Sequence, residues 1–220
     1  MKRNLGARNI AAIALLIILA PILYWRLNKV GYLPPLNYLF VAHNNKNIKL
    51  PKTRDNLLNY NRPITEIINT SLDKSQTAIK IEKSRKTLTI YYQQKAIKSY
   101  PIVLGQSPVG DKLKEGDYKT PEGTFKIRDL YPHSSWSKFI WLDYPTQESW
   151  RKHLAAKQAG KISFVSRIGS EIGIHGVPNN GDYLIDSNSN WTWGCISLKN
   201  KDVDEIYEVV RVGTIVEIVP

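Results

Sequence analysis

Two residues in the carboxyl-terminal half of the chain have side chains suited to nucleophilic catalysis. His175 follows the short apolar segment 171–174 (EIGI), and Cys195 comes twenty positions later. An imidazole titrates near neutrality, so His175 can accept the thiol proton and later return a proton to a leaving amine. The cysteine could then attack a carbonyl carbon and hold the acyl group as a thioester.

The neighbours of these two side chains favour such a geometry. Gly176 follows the histidine and would allow another segment to approach closely. Gly194 permits a sharp turn, in which the backbone N–H groups of Trp193, Gly194 and Cys195 could converge on a developing oxyanion. Spacing alone, however, also fits a buried core histidine and an inert thiol.

Cys195 is the only cysteine, which excludes an intrachain disulfide and any cluster of cysteine ligands. The other histidines, His43, His133 and His153, have neither an i,i+4 histidine partner nor a carboxylate at ligand spacing. We therefore expect no metal site and no cofactor.

Two acidic residues, Asp182 and Asp186, lie in the loop that separates the histidine from the cysteine. Either carboxylate could orient the imidazole of His175. Aspartates in loops more often form turns, so the sequence leaves both interpretations open.

The elements that must position these residues are mainly β-strands. From residue 77 onward, apolar residues recur with a period of two, which predicts antiparallel strands joined by hairpins. Residues 123–128 and 139–142 are further strand candidates, and residues 148–158 are typical of a helix that ends at Gly160. Near the carboxyl end, Asp202 and Glu205 have the spacing of an N-cap and capping box for a helix.

The amino-terminal third differs in composition. Residues 9–25 are uncharged, follow a basic tail at residues 1–8, and end in Tyr24 and Trp25, which predicts a single transmembrane signal anchor. An uncleaved anchor is favoured over a cleaved signal peptide. Residues 26–76 are rich in asparagine and proline and are interpreted as a tether.

Composition and charge limit the possible partners. The 220 residues are 42% apolar and 23% charged, with a formal net charge of +12. This is typical of a globular protein with an anionic neighbour. The basic residues are scattered without interleaved aromatic residues, so we do not expect nucleic acid as a partner. The sequence does not indicate an oligomeric state.

The sequence around the candidate residues resembles the catalytic domain of the L,D-transpeptidase (YkuD-type) family. The shared motifs are His175-Gly176, the loop that follows, and residues 192–195 (TWGC). Residues 104–112, 116–123 and 198–200 resemble further motifs of the family in the same order. The chain departs from the family at Ser197, where many members have arginine or asparagine, and at Trp193, often histidine or serine.

The resemblance implies a mainly β catalytic domain of β-sandwich type with helical insertions, over residues 77–220, behind the transmembrane helix. Cys195 would be the nucleophile, His175 the base, and the Gly176 carbonyl the group that orients the imidazole. Thr192, Trp193, Gly194 and Ser197 would contribute to the oxyanion hole or to substrate binding.

The implied reaction is attack on a peptidoglycan stem peptide before its terminal D-alanine, with transfer of the acyl group to an amine. The implied location is the periplasmic side of the inner membrane. Three alternatives remain: an L,D-carboxypeptidase, another peptidoglycan hydrolase of the same fold, and a noncatalytic wall-binding module. A papain-like protease is disfavoured because its cysteine precedes its histidine in the chain.

Overall fold

The computed structural model describes residues 20–21, 57–68 and 71–220. The predicted basic tail, most of the predicted anchor at residues 9–25 and the tether up to residue 56 lie outside these ranges. Among the residues described, no helix has both the length and the apolar character needed to cross a membrane.

Residues 77–220 contain eight strands, and the prediction of a mainly β domain is confirmed. The strands are β1 (Thr77–Glu82), β2 (Thr87–Tyr92), β3 (Lys95–Pro101), β4 (Gly123–His133), β5 (Ser137–Leu142), β6 (Gly173–His175), β7 (Ile196–Ser197) and β8 (Ile215–Val219). The helices are α1 (Ile64–Ile67), α2 (Gln147–Gln158), α3 (Asp182–Asp186) and α4 (Asn200–Val209), and a 3₁₀ turn covers Lys74–Gln76.

The strands form one continuous sheet in the order β3-β2-β1-β8-β4-β5-β6-β7. The mainly β part of the expected fold is thus built on one continuous sheet, and the β-sandwich arrangement that the resemblance implied stays an expectation. The long strand β4 joins its two halves, since residues 123–126 pair with β8 and residues 127–133 pair with β5. An irregularity in pairing between Ile127 and Asp129 marks the change of partner, as expected where a bulge bends a strand.

One half of the sheet consists of β1, β2, β3 and β8. It forms because apolar residues recur with a period of two, as the sequence indicated. Alternate side chains of β1 point into the core, where Ile79 and Ile81 are buried. β1 pairs antiparallel with β2, and β2 pairs antiparallel with β3, as predicted for hairpins. β8 then adds to the other side of β1 in parallel, and its Val216 and Ile218 complete the apolar layer.

The helix α4 begins differently from the prediction. Its N-cap position is Lys199, which has no side-chain capping bond, so the capping-box assignment is wrong. Asp202 is instead buried and accepts a hydrogen bond from the Tyr60 hydroxyl at 2.9 Å. Glu205 accepts the Ile64 backbone N–H at 2.7 Å and pairs with Lys98 at 2.6 Å. The two carboxylates therefore hold the segment 57–68 against the domain.

Candidate active site

His175 and Cys195 are brought together by the parallel pairing of β6 with β7. His175 is opposite Ser197 in this register, and Cys195 is two residues before Ser197. Cys195 directly precedes β7, so this pairing brings the segment that carries the thiol next to the end of the strand that carries the imidazole. Two segments whose candidate residues are twenty positions apart in sequence are thus neighbours in the fold.

The imidazole of His175 has a defined tautomer. Its Nδ1 lies 2.7 Å from the carbonyl oxygen of Gly176, which can only accept, so Nδ1 carries the proton. Nε2 then has a free lone pair that can accept a proton. The carbonyl is the orienting group that the family resemblance implied. The carboxylate of Asp186, which the sequence offered as an alternative orienting group, instead forms an ion pair with Nζ of Lys199 at 2.8 Å.

Aromatic rings enclose this imidazole. Trp136 stacks on it with ring centroids 4.5 Å apart, Phe139 lies parallel to it at 5.8 Å, and Trp191 meets it edge-on at 5.5 Å. Only 2% of His175 is exposed. This burial lowers the pKa of His175 to about 4, an effect that the Gly176 carbonyl opposes and the nearby His133 increases.

The thiol of Cys195 retains part of its surface in contact with solvent. Its Sγ donates to the Glu171 carbonyl at 3.4 Å, and no thiol–imidazole hydrogen bond occurs among the described residues. Burial raises the pKa of Cys195 to about 11, although a hydrogen bond with the Gly173 backbone and the charge of Lys112 favour the thiolate. At neutral pH the site therefore holds a thiol beside a neutral imidazole.

The turn before Cys195 is closed by a threonine side chain. The Thr192 hydroxyl donates to the Cys195 carbonyl at 2.6 Å and accepts the Gly194 N–H at 3.2 Å. The Gly194 N–H is thus engaged within the turn, and its role as an oxyanion donor stays a prediction. In the part of the chain that the structure describes, the N–H groups of Trp193 and Cys195 make no hydrogen bond to protein. These two remain as candidate donors.

Gly194 is required by both its conformation and its surroundings. Its φ of +142° lies in a region that residues with a side chain rarely adopt. A Cβ at this position would lie 2.7 Å from the Lys119 carbonyl oxygen and 3.0 Å from Cδ1 of Ile172. The turn is therefore packed directly against the loop that contains Lys119.

Gly176 meets a similar constraint next to the histidine. A Cβ there would collide with Oδ1 of Asn200 and approach the Trp136 carbonyl oxygen to 2.5 Å. That asparagine oxygen accepts the Val177 N–H at 2.9 Å, and the Trp136 carbonyl accepts the Gly176 N–H at 3.0 Å. The carbonyl that orients His175 is thus held from two sides.

Three other residues were predicted to contribute to the oxyanion hole or to substrate binding. Trp193 is exposed, whereas Ser197 and Thr192 are buried. Trp193 is 47% exposed and meets Tyr118 edge-on at 6.2 Å, so it can contact a substrate beside the thiol. Ser197 is completely buried, and its hydroxyl donates to the Gly176 carbonyl at 3.1 Å. Thr192 is also buried. The substrate-binding role predicted for Ser197 and Thr192 is corrected to a positioning role.

The sequence did not indicate that side chains of other elements contact the imidazole and its neighbouring glycine. Asn200 enters the sequence expectations only within the family motif at residues 198–200, and Trp136 does not enter them. A signal for the asparagine existed in that motif. Nothing in the spacing of Trp136 indicated contact with His175, because the contact depends on the turn between β4 and β5 lying beside β6.

The chain is similar to several known proteins. The family model of the L,D-transpeptidase catalytic domain (YkuD) matches residues 76–218. YafK of Escherichia coli K12, an L,D-transpeptidase by provisional assignment, is 27% identical over 154 residues, which cover 67% of this chain and 52% of YafK. The chain thus spans about half the length of the curated relatives it matches.

Solved structures with a related sheet include Pgp2, a helical cell shape determining protein of Campylobacter jejuni. It is 25% identical with a TM-score of 0.49, over 64% of this chain and 46% of Pgp2. An L,D-transpeptidase of Mycobacterium smegmatis is 14% identical with a TM-score of 0.44, over 66% and 59% of the two chains. Because the family model covers more than half of the sequence, the chain belongs to the L,D-transpeptidase catalytic domain (YkuD) family.

Proposed function

We propose that the protein is a peptidoglycan L,D-transpeptidase that forms a thioester on Cys195 with His175 as its base. The observation that supports this most directly is the orientation of the imidazole. Its Nδ1 is bound to the Gly176 carbonyl, so its unprotonated Nε2 is available to accept a proton.

The first half-reaction begins from neutral groups. As the sulfur of Cys195 bonds to the stem-peptide carbonyl carbon, the thiol proton passes to Nε2 of His175. The oxyanion accepts hydrogen bonds from the N–H groups of Cys195 and Trp193. Collapse then breaks the C–N bond to the terminal D-alanine, and the imidazolium returns its proton to the leaving amine.

The second half-reaction reverses the proton transfers. An acceptor amine attacks the thioester carbon and gives its proton to His175, and the C–S bond breaks. The sulfur recovers that proton as a thiol, which restores the neutral pair. If water attacks instead, the product is a shortened stem peptide, as in an L,D-carboxypeptidase.

We further propose that the domain acts outside the cytoplasm, on the periplasmic face of the membrane that residues 9–25 are predicted to span. The net charge of +12 would favour an anionic cell envelope. This part of the proposal is tested by protease protection of residues 57–220 in spheroplasts. Degradation of the domain by external protease supports it, and full protection in intact spheroplasts contradicts it.

The reaction is tested with a defined tetrapeptide stem and an added amine acceptor, with products identified by mass. We expect the crosslinked product and free D-alanine from the wild type. Cys195→Ala should lose roughly 10³-fold or more of this activity, whereas Ser170→Ala, an exposed neighbour of the site, should retain it. Unchanged turnover in Cys195→Ala would contradict the mechanism. A hydrolysed product alone would favour the carboxypeptidase, and binding without turnover the wall-binding module.

A further inference from the structure

An exposed apolar turn follows helix α2, and none of its residues belongs to the active site described above. The turn spans residues 163–166, and the Ser166 N–H donates to the Ser163 carbonyl at 3.0 Å. Its two central residues are Phe164 and Val165, with 75% and 88% of their surfaces exposed. We name these two residues the apolar tip. Turn centres are normally polar, so a pair of large apolar side chains there is unusual.

The apolar tip is presented by an anchored segment. Ile162 before it and Ile168 after it are both buried. The Lys161 N–H donates to the Ala156 carbonyl at the end of α2, and the Arg167 carbonyl accepts the Glu115 N–H at 2.7 Å. Since both ends of the turn are fixed to the domain, the tip projects in a defined direction and little conformational freedom would be lost on binding.

The charges next to the apolar tip are mainly positive. Residues 149–170 contain five basic residues and no acidic residue, namely Arg151, Lys152, Lys157, Lys161 and Arg167. Arg151 pairs with Glu148 and Lys152 with Asp111. Lys161 and Arg167 flank the tip directly, and the Arg167 side chain is 87% exposed with only a 4.0 Å contact to Glu115.

The preceding helix adds apolar surface of the same kind. Trp150 and Leu154 are one helical turn apart on α2, and both are exposed. Four of the exposed large apolar side chains thus occur within sixteen consecutive residues, 150–165. This density is far above that expected for isolated apolar residues on a surface.

We propose that the apolar tip, with Lys161 and Arg167, docks into the interface of an anionic lipid bilayer. Apolar side chains at the end of a fixed turn gain from entering the boundary between headgroups and acyl chains, and flanking cations gain from anionic headgroups. A protein partner would need its own acidic surface to match Lys161 and Arg167, whereas an anionic membrane provides that charge everywhere. Docking would fix the orientation of the domain relative to the membrane and is independent of the catalytic mechanism.

The experiment uses the full chain with Cys195→Ala, so that one introduced cysteine can be labelled with an environment-sensitive NBD fluorophore. One protein is labelled at Phe164→Cys. The matched control is labelled at Val109→Cys, another apolar residue that is almost fully exposed. Each is reconstituted into phosphatidylcholine vesicles with and without phosphatidylglycerol, and thermal unfolding verifies that both fold.

With phosphatidylglycerol present, we expect a several-fold rise in emission, a blue shift and quenching by doxyl lipids at position 164, and none at position 109. Adding Lys161→Glu and Arg167→Glu should remove most of this response. Equal responses at both positions, or equal responses in neutral and anionic vesicles, would overturn the proposal. Shielding of position 164 without lipid that increases with protein concentration would instead indicate self-association and would also overturn it.

Discussion

His175 and Ser197 donate hydrogen bonds to the same acceptor, the carbonyl oxygen of Gly176, at 2.7 and 3.1 Å. The two residues face each other across β6 and β7, so the shared carbonyl links the histidine to the strand that follows the cysteine. A serine two positions after Cys195 thus supports the imidazole of His175, and its burial leaves it no direct access to a substrate.

We expect Ser197→Ala to weaken this link without disturbing substrate binding. One neutral hydrogen bond contributes about 1 kcal/mol, so kcat should fall roughly fivefold to tenfold while KM changes little. Ser99→Ala is a matched control, because this buried serine bonds to Thr89 in β2 at 2.9 Å. It should lose similar stability but retain kcat. A large rise in KM for Ser197→Ala would indicate substrate contact instead.

The ring of Trp136 should set the pH range of the enzyme. Because burial lowers the pKa of His175 to about 4, the wild type should retain kcat/KM down to about that pH, where the base becomes protonated. Trp136→Leu would admit water to the imidazole, and the acidic limb should move upward toward pH 6.5. Trp150→Leu, at an exposed position on α2, should leave the profile unchanged. Superimposable profiles for wild type and Trp136→Leu would refute this role.

Gly194→Ala should reduce turnover by about 10²-fold or more, because the turn cannot keep its shape with a Cβ 2.7 Å from the Lys119 carbonyl oxygen. Gly213→Ala provides the comparison. Its φ is also positive, at +87°, but no atom lies within 4 Å of the added Cβ. This control should lose some stability and keep its activity. Equal activities of the two variants would show that the turn at Gly194 is not needed.

Asp202 should make the stability of the fold depend on pH. Burial raises the pKa of Asp202 to about 6 from 3.8, so the folded state binds more protons than the unfolded state between these values. The stabilisation is present below pH 3.8 and is lost as the pH rises through 6, by up to about 3 kcal/mol.

Asp202→Asn removes this titration while preserving the shape of the side chain. The variant should therefore gain stability relative to the wild type as the pH rises from 4 to 7, measured by urea unfolding at each pH. The titration of His175 has the opposite sign and is common to both proteins, so it cancels in the difference. A difference that is constant with pH would disprove this account of Asp202.

The sequence predicted those elements whose structure depends on a local pattern of residues. The alternation around Ile79 and Ile81 predicted β1, and the hairpins followed from the short polar turns between strands. The histidine and the cysteine were found because the motif around them is local in sequence. The pairing of β6 with β7 then brings the two segments together.

Long-range contacts were not predictable in the same way. Asp202 and Glu205 have the spacing of a capping box, yet their carboxylates accept hydrogen bonds from residues in the segment 57–68. A carboxylate near a helix start has the same local sequence in either role, and only the tertiary fold distinguishes them. Trp136 likewise gains its contact with His175 only when β5 and β6 pair.

Acyl transfer through Cys195 with His175 as its base requires a covalent intermediate, which intact-protein mass spectrometry of rapidly quenched reactions can detect. With a defined tetrapeptide stem, we expect an adduct equal in mass to the substrate less D-alanine. That adduct should map to the peptide containing Cys195, be absent from Cys195→Ala and form far more slowly in His175→Ala. An adduct of the same mass on Cys195→Ala, or turnover of the wild type with no adduct under any quench condition, would show that Cys195 does not hold the acyl group.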